Sequence, residues 1–318
     1  MRAKIMFLSG DVPSKALVLA VQGVLEDLAI AFGHSFVMKE DKVADASVQA
    51  FGSPMTQETI EACQDVNCVL VVSRSGQGVE ALAQGLNACA GSVSFHMPQC
   101  MGAHSLLKSG ALPEGVIVYP MSMAQGPFAQ AVQAVYQGAS RAGLPVREIP
   151  FKGKLSETWA NASGAEAARH PQTARLVSSL DLTLPEIIRQ PDKLGVIFAQ
   201  PASCKTIRML AESLSGLPSF IYDCYISQRP IVYAATLSGE VPDGDSPFGL
   251  LYAAADMLKY SFGLPKEGDC LNTSVTNVLE AGWRTQDIAL AGDARIGTGA
   301  ICSLISEQIS LVGKLINQ

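Results

Sequence analysis

Apolar residues gather most densely between Ser246 and Gly263, SPFGLLYAAADMLKYSFG, a run broken by Gly249, Tyr252, Asp256, Lys259 and Gly263. These five recur at helical spacing along one narrow stripe, which predicts a helix buried on most of its circumference. Ser246 is a favourable N-cap, Pro247 suits the first helical position, and Gly263 can close the far end in a left-handed conformation. Such a helix belongs in the interior of a layered domain.

The chain around it alternates. Lys4 to Leu8 predicts a strand, Ser9-Gly10-Asp11 a turn, and Ser14 the cap of a helix reaching Phe32 with Leu17, Val21, Val24 and Leu28 on one face. A second extended piece lies near Ser35 to Met38. Thr56 to Gln64 predicts a helix and Cys68 to Val72 a uniformly apolar strand, and the turn Ser73 to Gly78 leads into a helix running to about Ala90. Strands follow at Val116–Tyr119, Val146–Phe151, Leu176–Asp181 and Gly195–Ala199, with helices at Phe128–Ala142, Ser156–His170 and just before Pro191. Ser203 to Ser213 is helical, Phe220–Tyr225 and Ile231–Thr236 are extended, and two helices, Gly268–Ala281 and Ile296–Ile316, finish the chain. Apolar strands separated by helices are the mark of a largely parallel sheet covered on both faces, an α/β fold.

Composition narrows the function classes. Hydrophobic residues make up 48% of the 318 positions and charged ones 16%, enough to bury the cores of two lobes. The net charge of -6, with no basic stretch, argues against nucleic acid as a partner. Ile5 to Leu8 is too short an apolar run for a signal peptide, and no membrane-length apolar span is evident. The eight cysteines form no CxxC pair, which predicts buried, reduced thiols and a cytoplasmic protein.

Candidate chemistry starts at the turn SRSGQG, Ser73 to Gly78. It either cradles an anion on free N–H groups, with Arg74 adding charge, or is an ordinary tight turn. Cys89, His96, Cys100 and His104 have the residue types of a tetrahedral zinc site, but Pro98 and Gly102 interrupt any regular ligand spacing.

Several longer stretches carry a resemblance. GSPMTQETIEACQDVNCVLVVS, SPFGLLYAAADMLKYSFGL and NVLEAGWRTQDIA, with the opening FLSGD, are similar to the 3-isopropylmalate and isocitrate dehydrogenase family. The likeness covers both chain ends, about half the length, and the middle follows in element order. It implies a two-lobe α/β fold with a mixed, largely parallel sheet covered by helices. The first lobe would take residues 1–93 and 229–318 and the second 94–228, as a homodimer or as a hetero-oligomer with a catalytic paralogue. The family oxidises a malate-type 2-hydroxy acid with NAD or NADP and decarboxylates the product. It uses a divalent cation to polarise the hydroxyl, arginines for the substrate carboxylates, and a Lys and a Tyr for proton transfer.

Carried over residue by residue, the resemblance places Lys152, in IPFKGKLSETW, at the general-base position, and Asp181, in DLTLPEIIRQP, at one metal-binding position. Asp243 and Gly239, in LSGEVPDGD, together with Gly10 and Asp11, fall on the NAD side. Lys154, Lys205 and Arg74 are cations available to a small anionic ligand. Other positions depart from the pattern. Lys205 and Met209 stand where two metal-binding aspartates would be, Ala83 and Val93 replace two arginines in what reads as the helix ALAQGLNACAGSVS, and IVYPMSMAQG offers Tyr119 or Pro120 for a third. The cofactor loop lacks its histidine and is shortened, and the clasp that follows the family tyrosine is largely missing after Gly126.

An ammonium in place of a carboxylate reverses the local field, since like charges at about 4 Å repel by roughly 4 kcal/mol even at an effective dielectric of about 20. Mg²⁺ or Mn²⁺ is therefore not expected. Lys205 is either a solvated helix residue or the partner of Asp181 in the metal's place. Two functions follow: a dehydrogenase-like protein that has lost metal-dependent hydride transfer and binds a small ligand or regulates a partner, or an active NAD-dependent oxidoreductase with an unusual site.

Overall fold

The computed structural model describes residues 1–237 and 246–316, and of Lys154 the backbone only. The chain divides into two compact units: Met1–Leu86, Ser219–Tyr222 and Gln228–Gln318 form the first, and Asn87–Pro218 with Asp223–Ser227 the second.

The first unit opens with β1 (Arg2–Ser9), α1 (Val12–Phe32), β2 (Ser35–Lys42), α2 (Ala44–Phe51), α3 (Gln57–Gln64), β3 (Cys68–Ser73) and α4 (Val79–Gly85). The second unit holds β4 (Ala90–Phe95), β5 (Gly115–Pro120), α5 (Gln125–Ala142), β6 (Val146–Glu148), α6 (Ser156–Arg169), β7 (Arg175–Val177) and α7 (Leu180–Arg189). It continues through β8 (Gly195–Phe198), α8 (Pro201–Ser215) and most of β9 (Tyr222–Ile226). The chain then completes the first unit with β10 (Ile231–Thr236), α9 (Phe248–Asp256), α10 (Pro265–Glu280), the short pair β11 (Trp283–Arg284) and β12 (Ala294–Arg295), and α11 (Thr298–Ile316). The strands make a large, mostly parallel mixed sheet covered by helices, the α/β architecture that the alternation implies.

In the first unit β2, β1, β3 and β10 lie side by side, all parallel. Every residue of β3 is buried, which is why its sequence CVLVVS shows no polar alternation. α9 is the innermost helix, with Phe248 through Ala255 all buried. From Gly249 to Lys259 the stripe that interrupts its aliphatic surface faces packed chain, while Gly263 at the end is exposed. A Cβ on Gly249 would lie 2.9 Å from the Ser219 carbonyl oxygen, and the Tyr252 ring packs against Phe220 with centroids 6.0 Å apart. Asp256 accepts a 2.5 Å bond from the Tyr222 hydroxyl, and Lys259 pairs with Asp269 at 2.6 Å. α10 crosses close to this end, because a Cβ on Gly268 would sit 2.7 Å from the Ala255 carbonyl oxygen.

Some expectations change at this helix and elsewhere. Pro247, not Ser246, is the N-cap of α9; the Ser246 hydroxyl is instead bonded to Thr285 and Asp287 at 2.6 and 2.7 Å. From Met257 to Ser261 the helix widens into a π turn, and Gly263 leaves it at φ 68° as predicted. Asp11, not Ser14, caps α1, its carboxylate accepting from the Ser14 amide. α2 was missed, and the helix expected to run to Ala90 stops at Gly85. Asn87, at φ 55°, turns the chain into strand β4, so Val93 lies on a strand. Asp181 lies in the first turn of α7, the strand before it ending at Val177. α11 is long and apolar enough by length and composition to cross a membrane, a span the sequence reading excluded; its Ile301, Cys302, Ile305 and Ile309 are buried in the first unit.

In the second unit β5, β8, β6 and β7 are parallel neighbours and β4 runs antiparallel beside β5. Its core is aromatic: Phe128, Phe151 and Phe198 meet with ring centroids 5.4 to 6.2 Å apart. All eight cysteines are free thiols and seven are buried. Burial pushes Cys63, Cys204 and Cys302 up to about 12, so these thiols stay protonated at neutral pH and pack as small apolar groups.

Candidate functional site

The carboxyl ends of β1, β2 and β3 bring three predicted residues together in the first unit. β1 ends at Ser9, and Gly10 turns the chain against the end of β3, where a Cβ would lie only 2.6 Å from the Ser73 Cβ. Only glycine permits that approach without displacing a strand. Asp11 follows; its Oδ1 accepts from the Ser14 amide at 2.8 Å and the Ser14 hydroxyl at 2.5 Å, and its Oδ2 meets Arg74 Nε at 3.2 Å. A cavity of about 720 Å³ opens beside this turn, lined by Gly10, Asp11, Lys15, Glu40, Asp41 and Asp45 among others. Ligands of parallel α/β sheets bind outside such strand ends. The SRSGQG turn spends part of its N–H set internally: Ser73 Oγ accepts from the Gly76 amide at 2.9 Å, and Ser75 Oγ from Gln77 at 3.4 Å. Gly76 and Gly78 sit at φ 63° and 81°, so the glycines serve a tight turn. Asp243 and Gly239 lie outside the described residues.

In the second unit the structure places Lys152 in extended backbone just ahead of a single 3₁₀ turn, with its side chain exposed. Lys154 lies outside the described side chains. Asp181 on α7 and Lys205 on α8 are both exposed, and among the described residues no ion pair joins them. The pairing of Lys205 with Asp181 in place of a metal therefore does not form; each side chain finds its solvation in water. Met209, one turn beyond Lys205, is 59% exposed. The solvent face of α8 thus presents Pro201, Ala202, Lys205, Thr206, Met209 and Ser213, without a carboxylate. The one acid on the helix, Glu212, is held by Arg208 Nε at 2.6 Å.

A divalent cation does not fit these donors, since an ammonium and a thioether are not ligands for a hard ion. Among the described residues no group of three or more His, Cys, Asp or Glu side chains is placed to hold a metal, the Cys89–His104 set included. Cys89 is buried, and its thiol donates to the Ile226 carbonyl oxygen at 3.3 Å.

Sequence reasoning passed over a polar cluster built around Arg208. Its guanidinium reaches Asp223 on β9 at 2.6 Å as well as Glu212. Burial raises the Asp223 carboxyl above its usual range, and Arg208 opposes that shift. Tyr119 stands close by on β5, directly across from Gly91 of β4, whose missing side chain leaves room for the phenol ring. Burial first, then Tyr225 and Asp223, raise the Tyr119 hydroxyl far above the ordinary phenol range. The i, i+4 spacing of Arg208 and Glu212 was the available signal; the partners on other strands left none.

No family model matches the chain. It is 25% identical over 357 positions to the 3-isopropylmalate dehydrogenase of Bacillus thuringiensis subsp. konkukian, covering 99% of each chain. It is 21% identical over 358 positions to that of Shouchella clausii, covering 98% of each. These alignments are longer than the 318-residue chain itself and so carry gaps within it. Its fold superimposes on the isocitrate dehydrogenase of Methylococcus capsulatus with a TM-score of 0.78, at 18% identity over 97% of this chain and 99% of that one. A β-decarboxylating dehydrogenase of Thermococcus kodakarensis gives the same TM-score at 15% identity, over 96% of each chain. Along nearly its whole length the chain is similar in sequence to the 3-isopropylmalate dehydrogenases, and it shares the fold of the isocitrate and β-decarboxylating dehydrogenases.

Proposed function

We infer that this dehydrogenase-like protein has lost metal-dependent hydride transfer and acts by binding a small anionic ligand or by regulating a partner. What supports the reading above all is α8, where Lys205 and Met209 stand in place of carboxylates on the solvent face and the helix's one acid, Glu212, is taken up by Arg208. Without those oxygens a divalent cation has nothing to offset the cost of losing its water. Mn²⁺ titrated into the purified protein and followed by electron paramagnetic resonance should show no saturable stoichiometric site. A site filled at one ion per chain would overturn the reading. It would favour instead an NAD-dependent oxidoreductase acting on a malate-type 2-hydroxy acid, the alternative that the exposed Lys152 and Asp181 support.

The protein is proposed to act in the cytoplasm, as a homodimer or in a hetero-oligomer with a catalytic paralogue. Ile207, Ala211 and Leu214 of α8 are spent inside the second unit, which leaves the exposed Met209 and the half-buried Leu210 for a partner helix. Light scattering of the purified chain at micromolar concentration should give a dimer mass; a monomer would contradict the self-association.

A further inference from the structure

The second unit carries a cavity of about 510 Å³ that none of the residues aligned with the dehydrogenase chemistry lines. Strand register builds one side of it: Arg147 is opposite both Leu176 of β7 and Ile197 of β8, so the three share one face of the sheet. α7 and the turn after it build the other, contributing Glu186, Ile187, Arg189, Lys193 and Leu194. The floor is apolar: Ile187, Leu194 and Ile197 are at most 4% exposed, and Leu176, 45% exposed, offers the open apolar surface beside them. The charges at the rim run against the composition of the chain. Acids outnumber bases 29 to 23 overall, yet here Arg147, Arg189 and Lys193 face the single carboxylate of Glu186.

That carboxylate is already committed. Glu186 Oε2 holds Arg147 at 2.5 Å, and the arginine side chain is only 19% exposed. Arg189 and Lys193 have no carboxylate partner among the described residues. Two unneutralised cations above an apolar floor recognise one chemistry: an anionic head to take the charge and an apolar body to cover the floor. We propose that this cavity is a binding site for a small amphiphilic anion, with a carboxylate or phosphate head held by Arg189 and Lys193 and an apolar portion lying against Leu176, above the buried Ile187, Leu194 and Ile197.

The test uses the full chain with octanoate, octyl phosphate and the neutral octanamide as calorimetric probes. It compares the wild type with an Arg189→Gln, Lys193→Gln double variant. The wild type should bind one octanoate per chain saturably, and the double variant should bind it about tenfold more weakly or worse, as expected for loss of charge-assisted hydrogen bonds. Octanamide should be as poor a ligand for the wild type as octanoate is for the variant. Preference for octyl phosphate over octanoate, or the reverse, would identify the head group. Absence of saturable binding, equal binding of octanamide, or undiminished binding to the double variant would overturn the proposal. If Arg189 and Lys193 serve only to offset the carbonyl end of α7, the variant will lose melting temperature and leave octanoate binding unchanged, which also overturns it.

Discussion

Replacing Arg175 by methionine should destabilise the protein by about 3–5 kcal/mol, a large share of a typical domain's margin. Glu148 on β6 is completely buried. Its Oε1 accepts a 2.5 Å bond from the Tyr136 hydroxyl and its Oε2 a 2.9 Å bond from Arg175 Nη2, and these are what keep a carboxylate tolerable there. The Arg175 guanidinium also lies 6.0 Å from the Trp159 ring, so methionine preserves the apolar contact while removing the charge. Arg175 is 30% exposed, but Glu148 is not, so what remains is an unpaired carboxylate in the interior, the costly half of the broken pair. Adding Glu148→Gln should recover most of the loss, because the amide still accepts from Tyr136 and carries no charge. Urea denaturation at pH 7 of the wild type, both single variants and the double variant measures the coupling. A loss of less than about 1 kcal/mol in Arg175→Met would mean the pair is screened like a surface one.

Asp256→Asn should act in the opposite direction and depend on pH. Burial pushes the Asp256 carboxyl up to about 6, with the Tyr222 hydroxyl and Lys259 opposing the shift. A carboxyl whose pKa is higher in the folded protein than in the unfolded chain favours folding only while protonated. Its contribution is complete below the unfolded value near 4 and lost as pH rises through about 6. Asparagine cannot ionise and still accepts from Tyr222. The variant should therefore match the wild type near pH 4 and gain on it with rising pH, by about 2–3 kcal/mol above pH 7. Equal stability of the two proteins at pH 5 and pH 8 would show that Asp256 keeps an ordinary carboxylate pKa.

Both predictions rest on pairs the sequence could not announce. Glu148 and Arg175 lie 27 positions apart and Tyr222 and Asp256 lie 34 apart, so no local periodicity marks them. The elements themselves were more legible. The apolar run Cys68–Val72 of β3 and the mostly apolar surface of α9 reflect deep burial, which local composition records. β4 is hidden because it follows α4 after only a few residues and its alternation, Ser92 to Phe95, spans just four positions, and Asn87 gives no sign of its left-handed turn. At the candidate site, the Gly10–Asp11 turn was legible from its place between strand and helix. The surroundings of Lys205 were not. A lysine aligned with one family aspartate invites a pairing with Asp181, aligned with another, but whether α7 and α8 aim the two together is a matter of helix rotation, and both residues end on solvent faces.

The proposed loss of metal-dependent hydride transfer is tested most directly by turnover. The purified protein would be incubated with isopropylmalate, isocitrate, malate or tartrate, with NAD or NADP, in the presence of Mg²⁺ or Mn²⁺, and the reduced nicotinamide followed by its absorbance. If, as proposed, Lys205 and Met209 of α8 stand in place of metal-binding carboxylates, no combination should give a rate above the protein-free control. Steady turnover that a chelator abolishes and the divalent cation restores would contradict the account.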